Sequence, residues 1–163
     1  MKCTILIFIL TFPTILFHMN AQEKKSSLES LQWEFSAAND PIKFPAKVPG
    51  NVFLDLQKNG LLQDPLLGLG EEKAQWVSHQ DWEYTASNIL CPAHEKNERV
   101  ILHLPELDTY CDVYWNNQLI TRADNAFIHW KIDITDLILS NNQIKLIFYS
   151  PYKIANQKLK KLS

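Results

Sequence analysis

From residue 81 to 149 the chain is written almost entirely in the two-residue period of β-strands, interrupted at short intervals by turn-forming residues. Trp82, Tyr84, Ala86 and Asn88 alternate with Glu83, Thr85 and Ser87. After a polar loop at 94–97, Val100, Leu102 and Leu104 share a face. Residues 108–115 carry Tyr and Val, and Asn116-Asn117 follows where a tight hairpin needs residues tolerant of positive φ. Residues 119–122 return, Trp130, Ile132 and Ile134 alternate, 137–139 close a short turn, and 144–149 make a last strand ended by Pro151. Upstream, Leu31, Trp33 and Phe35 fall on one side of another strand. Asn39-Asp40-Pro41 punctuates it, and Pro45 and Pro49 hold 42–48 extended.

Strands this short, with turn signals roughly every 8 to 14 residues and no alternating β/α units, predict two packed antiparallel sheets. The expected fold is all-β, a jelly-roll β-sandwich over residues 23–163 with one short helix in a connection. That helix follows Pro49-Gly50: Asn51 is placed to cap it, Val52, Phe53 and Leu56 have helical spacing, and Gly60 ends it. Residues 71–76 allow a further helical turn, with Glu71-Glu72 favouring its start through the helix dipole.

A length of 163 residues suits one such domain with a real core. The net charge of -2 offers no basic field, and no Lys/Arg run is interleaved with stacking aromatics, which excludes nucleic acid as a partner. Lys158, Lys160 and Lys161 read as a solvated end. Residues 1–22 are set apart as a secretory signal peptide: Lys2 leads an apolar run over 4–17, and polarity returns before Glu23. The run is shorter than the roughly 20 residues that span a bilayer, and Pro13 interrupts it. The expectation is export to a periplasmic or extracellular location, with cleavage at Ala21 or Gln22 and no membrane span afterwards.

Export leaves two cysteines in the mature chain, Cys91 and Cys111, which are either one disulfide or two buried thiols. Neither Cys nor His shows metal-ligand spacing, so no metal or cofactor is expected. Asp81 with Glu83, and Asp133 with Thr135, share strand faces by spacing and read as solvated carboxylates rather than as a catalytic pair. His79, His94, His103 and His129 sit on separate elements, without a nucleophile motif beside them.

Several words occur in one order: Val48-Pro49-Gly50, then Gly60-Leu61-Leu62-Gln63-Asp64-Pro65, then Gln75-Trp76-Val77 with Asp81-Trp82-Glu83-Tyr84. Leu107-Asp108-Thr109-Tyr110, Asp112-Val113-Tyr114-Trp115-Asn116 and Arg122-Ala123-Asp124-Asn125 complete the set. Together they resemble the N-terminal, galactose-binding-like domain of the β-mannosidases in glycoside hydrolase family 2. The chain departs from that pattern at Leu66-Leu67, where the family carries aromatics, and at Ala126-Phe127-Ile128, where the family's Met-Phe-Arg supplies a basic residue.

The resemblance implies a retaining glycosidase that releases terminal, non-reducing β-D-mannose from β-mannosides. Such chemistry needs two carboxyl groups about 5–5.5 Å apart. In the family both are glutamates of a later barrel domain with no counterpart here, so this stretch alone is expected to be catalytically inactive. The family's Trp-Asp-Trp-Gly segment, implied shortly beyond Tyr152, is also absent from the 163 residues. Three roles stay open: an accessory domain beside a barrel, a free-standing carbohydrate-binding module, or a structural remnant. For glycan contact the candidates are Trp76, Trp82, Asp124 and Asn125, with both tryptophans equally readable as core anchors. A β-galactosidase, β-glucuronidase or exo-glucosaminidase domain is a sister reading on the same fold.

Overall fold

The computed structural model describes residues 27–64, 70–91, 95 and 98–162. The expected leader, the Leu66-Leu67 departure and His94 lie outside them. The strands are β1 (Trp33–Ala37), β2 (Phe44–Ala46), β3 (Trp82–Ile89), β4 (Ile101–Leu104), β5 (Cys111–Trp115), β6 (Gln118–Ala123), β7 (Trp130–Asp133) and β8 (Asn142–Phe148). They form a six-stranded sheet ordered β2-β1-β3-β8-β5-β6 and a two-stranded sheet of β4 and β7, with every pairing antiparallel.

The inward residues of the large sheet are the ones whose alternation is plain in the sequence. Trp33 and Phe35 of β1, Trp82, Tyr84 and Ala86 of β3, Val113 and Trp115 of β5, and Ile144 and Leu146 of β8 are all buried. They form one core with Leu102 and Leu104 from β4 and with Ile134 just past β7. Register shifts at two places in this sheet, one of them between Val113 and Tyr114 in the β5–β6 pair. The β3–β8 register shifts between Ala86 and Ile89, and Asn88 takes φ 58 there. Ile89 therefore turns into the core and Asn88, expected on the inner face, is exposed.

Turn and cap chemistry matches the residues that carry it. Asn116 and Asn117 have φ 48 and 64, as a tight hairpin between β5 and β6 requires. The expected helix is α1 (Val52–Lys58), whose N-cap Asn51 accepts the Leu54 amide at 3.0 Å, and Gly60 beyond it has φ 70. Asp55 of α1 is fully buried and accepts hydrogen bonds from the Lys47 amide and the Tyr84 hydroxyl, both at 3.1 Å, pinning α1 to β3.

Beyond α1, the further helical turn expected over 71–76 is present, and a C-terminal helix is added. Before β3 lie α2 (Gly70–Ala74), with Glu71 and Glu72 in its first turn, and α3 (Trp76–His79). After β8 comes α4 (Pro151–Leu162), where a solvated tail was expected. Ser150 caps it by accepting the Lys153 amide at 3.2 Å, and Pro151 occupies the first helical position, where its missing N–H costs nothing.

The disulfide expectation is corrected by strand register. Ile89, two residues before Cys91, pairs with Asn142 at the start of β8, whereas Cys111 pairs with Phe148 at its end. The intervening strand spans about 20 Å, against the roughly 4.4–6.8 Å between Cα atoms that a disulfide needs. Both thiols are free, Cys111 buried and Cys91 half-buried, and burial raises the pKa of each.

β8 is held at its start by Asn142, whose side chain is 2% exposed. Its amide nitrogen donates to the carbonyls of Ile89 (3.0 Å) and Leu139 (2.9 Å), and its oxygen accepts from the Leu139 amide (2.8 Å) and the Asn116 side chain (2.9 Å). Asn142→Ala is expected to cost about 2–4 kcal/mol through the buried groups it orphans, and Asn51→Ala about 1 kcal/mol. Urea denaturation checks both, with the midpoint lowered and the slope unchanged.

Candidate functional site

One row of paired residues crosses five strands: Ala37, Trp82, Phe148, Cys111 and Ala123. The chain segments leaving the sheet at this row bring the candidate residues to one rim. α3 and Asp81 precede Trp82, Ser150 and α4 follow Phe148, Tyr110 precedes Cys111, and Asp124-Asn125 follow Ala123. Trp82 and Ala123 are three strand spacings apart, about 14 Å. The four glycan candidates thus share an end of the sandwich without converging on one point.

Their environments differ. Trp82 is 7% exposed, and its indole N–H donates to the Val77 carbonyl at 3.0 Å, so it serves as a core anchor. Trp76, on α3, leans on Trp82 with ring centroids 5.8 Å apart and remains 44% exposed. Asp124 and Asn125 are exposed, and the Asn125 side chain accepts the Phe127 amide at 2.9 Å, shaping its own loop. Phe127, within the departure from the family's Met-Phe-Arg, is 94% exposed.

Three features of this rim escaped the sequence reading. The His79 ring lies 4.3 Å from that of Tyr152 on α4, so an aromatic strip continues from Trp76 across the α3–α4 junction. Asp81 accepts the Ser150 amide at 2.8 Å and the Lys153 ammonium at 2.9 Å, while the Ser150 hydroxyl donates to the Ser78 carbonyl at 2.6 Å. Together these bonds latch α4 onto α3. Thirdly, Asp112 is buried on the outer face of the large sheet, accepting the Tyr149 hydroxyl at 3.1 Å beside Arg122 at 3.4 Å. The Ser150-Pro151 pair before helix-forming residues was the available signal for α4. Nothing in the local sequence marks the Asp112 network, because its members meet only through strand pairing.

The carboxylates that share strand faces in the sequence are engaged by other groups of the fold. Asp81 is committed to the latch, and Glu83 accepts from Lys43 (3.4 Å) and the Thr85 hydroxyl (3.2 Å). Asp133 accepts the Thr135 hydroxyl (2.6 Å) and amide (3.1 Å); those bonds, with Arg99 adding to them, hold its carboxyl below its ordinary pKa, the opposite of what a general acid needs. Asp108 accepts the Thr109 hydroxyl, across a cis peptide. At the opposite end, a shallow depression of about 230 Å³ is lined by Trp115, Asn116, Gln118, Asp136, Leu137 and Leu139, with Asp136 its one carboxylate. Among the described residues no three His, Cys, Asp or Glu side chains gather as a metal site, and no helix is long and apolar enough to cross a membrane.

The antiparallel sandwich with its rim helices matches a family model described as "Glycosyl hydrolase 2 galactose-binding domain-like", over residues 33–163. This chain belongs to that family. Within it the chain corresponds to the N-terminal domain of β-mannosidase-like proteins. A probable β-mannosidase of Caenorhabditis elegans is 29% identical over 88% of this chain and 16% of its own length. The crystal structure of a β-D-mannosidase from Dictyoglomus thermophilum superimposes with a TM-score of 0.75 at 35% identity, covering 79% of this chain and 16% of that one. A β-D-glucuronidase from the same organism has a TM-score of 0.55 at 17% identity over 78% of this chain and 21% of its own, a likeness of fold alone. The chain thus spans about a sixth of the β-mannosidases it matches.

The rim also makes a pH prediction. Burial, and next the Asp112 carboxylate, push the Tyr149 phenol up to about 12 from 10.0, and Tyr84 is raised by burial and Asp55. A raised folded-state pKa means stability present below the unfolded value and lost as the phenol ionises in the fold. The unfolding midpoint is expected to start falling as pH rises above 9.0, the ordinary value for the thiols of Cys91 and Cys111, and to fall further as pH rises through about 12. Tyr149→Phe should make that fall shallower in thermal melts across the range.

Proposed function

We propose that this domain is the accessory module of an exported β-mannosidase that removes terminal, non-reducing β-D-mannose residues from β-mannosides. The catalytic acid and nucleophile belong to a barrel domain outside residues 1–163, and the rim bearing Trp76, Tyr152 and Asp124-Asn125 faces that barrel and the edge of its sugar pocket. One observation carries the reading: the kinship in sequence and fold runs to β-mannosidases, while Asp81, Glu83 and Asp133 are each engaged by other groups of this domain. The apolar run after Lys2 supports export.

Residues 23–163 alone are expected to leave an aryl β-mannoside unhydrolysed in a chromogenic assay, and turnover above background would refute the assignment. In an exporting host, N-terminal sequencing of the mature protein should find cleavage after Ala21 or Gln22.

A second reading has its own observation. Trp76 keeps 44% of its surface exposed although Trp82 beside it is buried, leaving one indole face free for a sugar ring. If the domain binds glycans by itself, manno-oligosaccharides should quench its tryptophan fluorescence, and Trp76→Ala should weaken binding several-fold. The absence of any change with mannose or manno-oligosaccharides would leave the accessory role alone.

A further inference from the structure

The smaller sheet carries a cluster that neither the rim nor the depression uses. In the β4–β7 register, His103 stands opposite Lys131, and His129 lies two residues before Lys131 along the chain. Side chains alternate between faces, so His103, Lys131 and His129 share one face while Leu102 and Leu104 point into the core. The two histidines are diagonal cross-strand neighbours, a separation that long side chains bridge. Their rings lie 6.0 Å apart, centroid to centroid, at an interplanar angle of 49°, and both residues are exposed.

We propose that His103 and His129 form a two-imidazole clip for one divalent late-transition cation, of the Cu²⁺ or Zn²⁺ type, on the outer face of the β4–β7 sheet. Imidazole nitrogen is a preferred donor for these ions and a poor one for Mg²⁺ or Ca²⁺. Two nitrogens bound to one ion sit closer together than these rings now do, and the exposed side chains can rotate to close the gap. Water completes the coordination. The Lys131 ammonium, opposite His103, is the charge opposing the ion, and its long stem lets it swing away. The consequence is structural: among the described residues this layer has two strands, a marginal arrangement by itself, and a bridging ion ties β4 to the residue that leads into β7.

The test uses the 163-residue chain titrated with Cu²⁺, Zn²⁺ and, as a control, Mg²⁺, followed by NMR of the histidine rings and by the thermal midpoint. Expected is selective Cu²⁺ broadening of the His103 and His129 signals ahead of His79, tighter binding of Cu²⁺ than of Zn²⁺, and no response to Mg²⁺. Binding to N alone raises the melting midpoint. His103→Gln and His129→Gln, both at exposed positions, should each weaken Cu²⁺ binding about tenfold or more while the metal-free midpoint stays put. Lys131→Ala should strengthen it. Equal broadening of every histidine, or undiminished affinity in either Gln variant, would overturn the proposal.

Discussion

The last strand of the chain is placed in the middle of the sheet. β8 lies between β3 and β5, so the inner faces of β1 and β3 on one side and of β5 and β6 on the other are not joined until residues 142–148 arrive. Both ends of that insertion are nailed by polar groups. Asn142 bonds to the turn before β8 and to the carbonyl that ends β3, and Asp81 holds the Ser150 amide just beyond β8. A long-range pairing of this kind is slow to close because its loop entropy must be lost before its contacts form. The anchors also set register, since a one-residue slip would turn Ile144 and Leu146 out of the core.

Seen from β8, the rim is a by-product of closure that became a surface. The latch that ends β8 also starts α4, and α4 returns across α3 so that Tyr152 meets His79 and Lys158 lies 5.2 Å from the Tyr110 ring. The rim therefore consists of helix ends and short loops tied by charged hydrogen bonds, with Trp76 as its exposed aromatic face. This rim is the surface that the proposed accessory role sets against a barrel domain. The share of each β-mannosidase that the domain covers fits that role.

Much of the fold was legible along the chain because its signals are local. The alternation of Trp82, Tyr84 and Ala86, the Asn116-Asn117 turn, and the Asn51 cap before Val52 depend on residues a few positions apart. The rim was legible only in part. Trp76 and Trp82 look alike on paper, and burial separates them: the Trp82 indole N–H is spent on Val77 and its ring is covered, whereas Trp76 stays 44% exposed. The paired-cysteine idea failed for the same reason, since the length of β8 separates two residues that sequence spacing alone leaves free to meet.

The sequence by itself determined the class of fold, its antiparallel character and its family, because strand period, turn residues and ordered motifs are properties of short stretches. Tertiary structure alone decided that Asp81, Glu83 and Asp133 hold other groups of the fold, that Arg122 and Tyr149 gather on the buried Asp112, and that the His103 and His129 rings lie close together. The physical reason is common to all three. What a carboxylate or an imidazole can do depends on what stands within a few ångströms of it, and in an antiparallel sandwich those neighbours come from strands far apart in the chain.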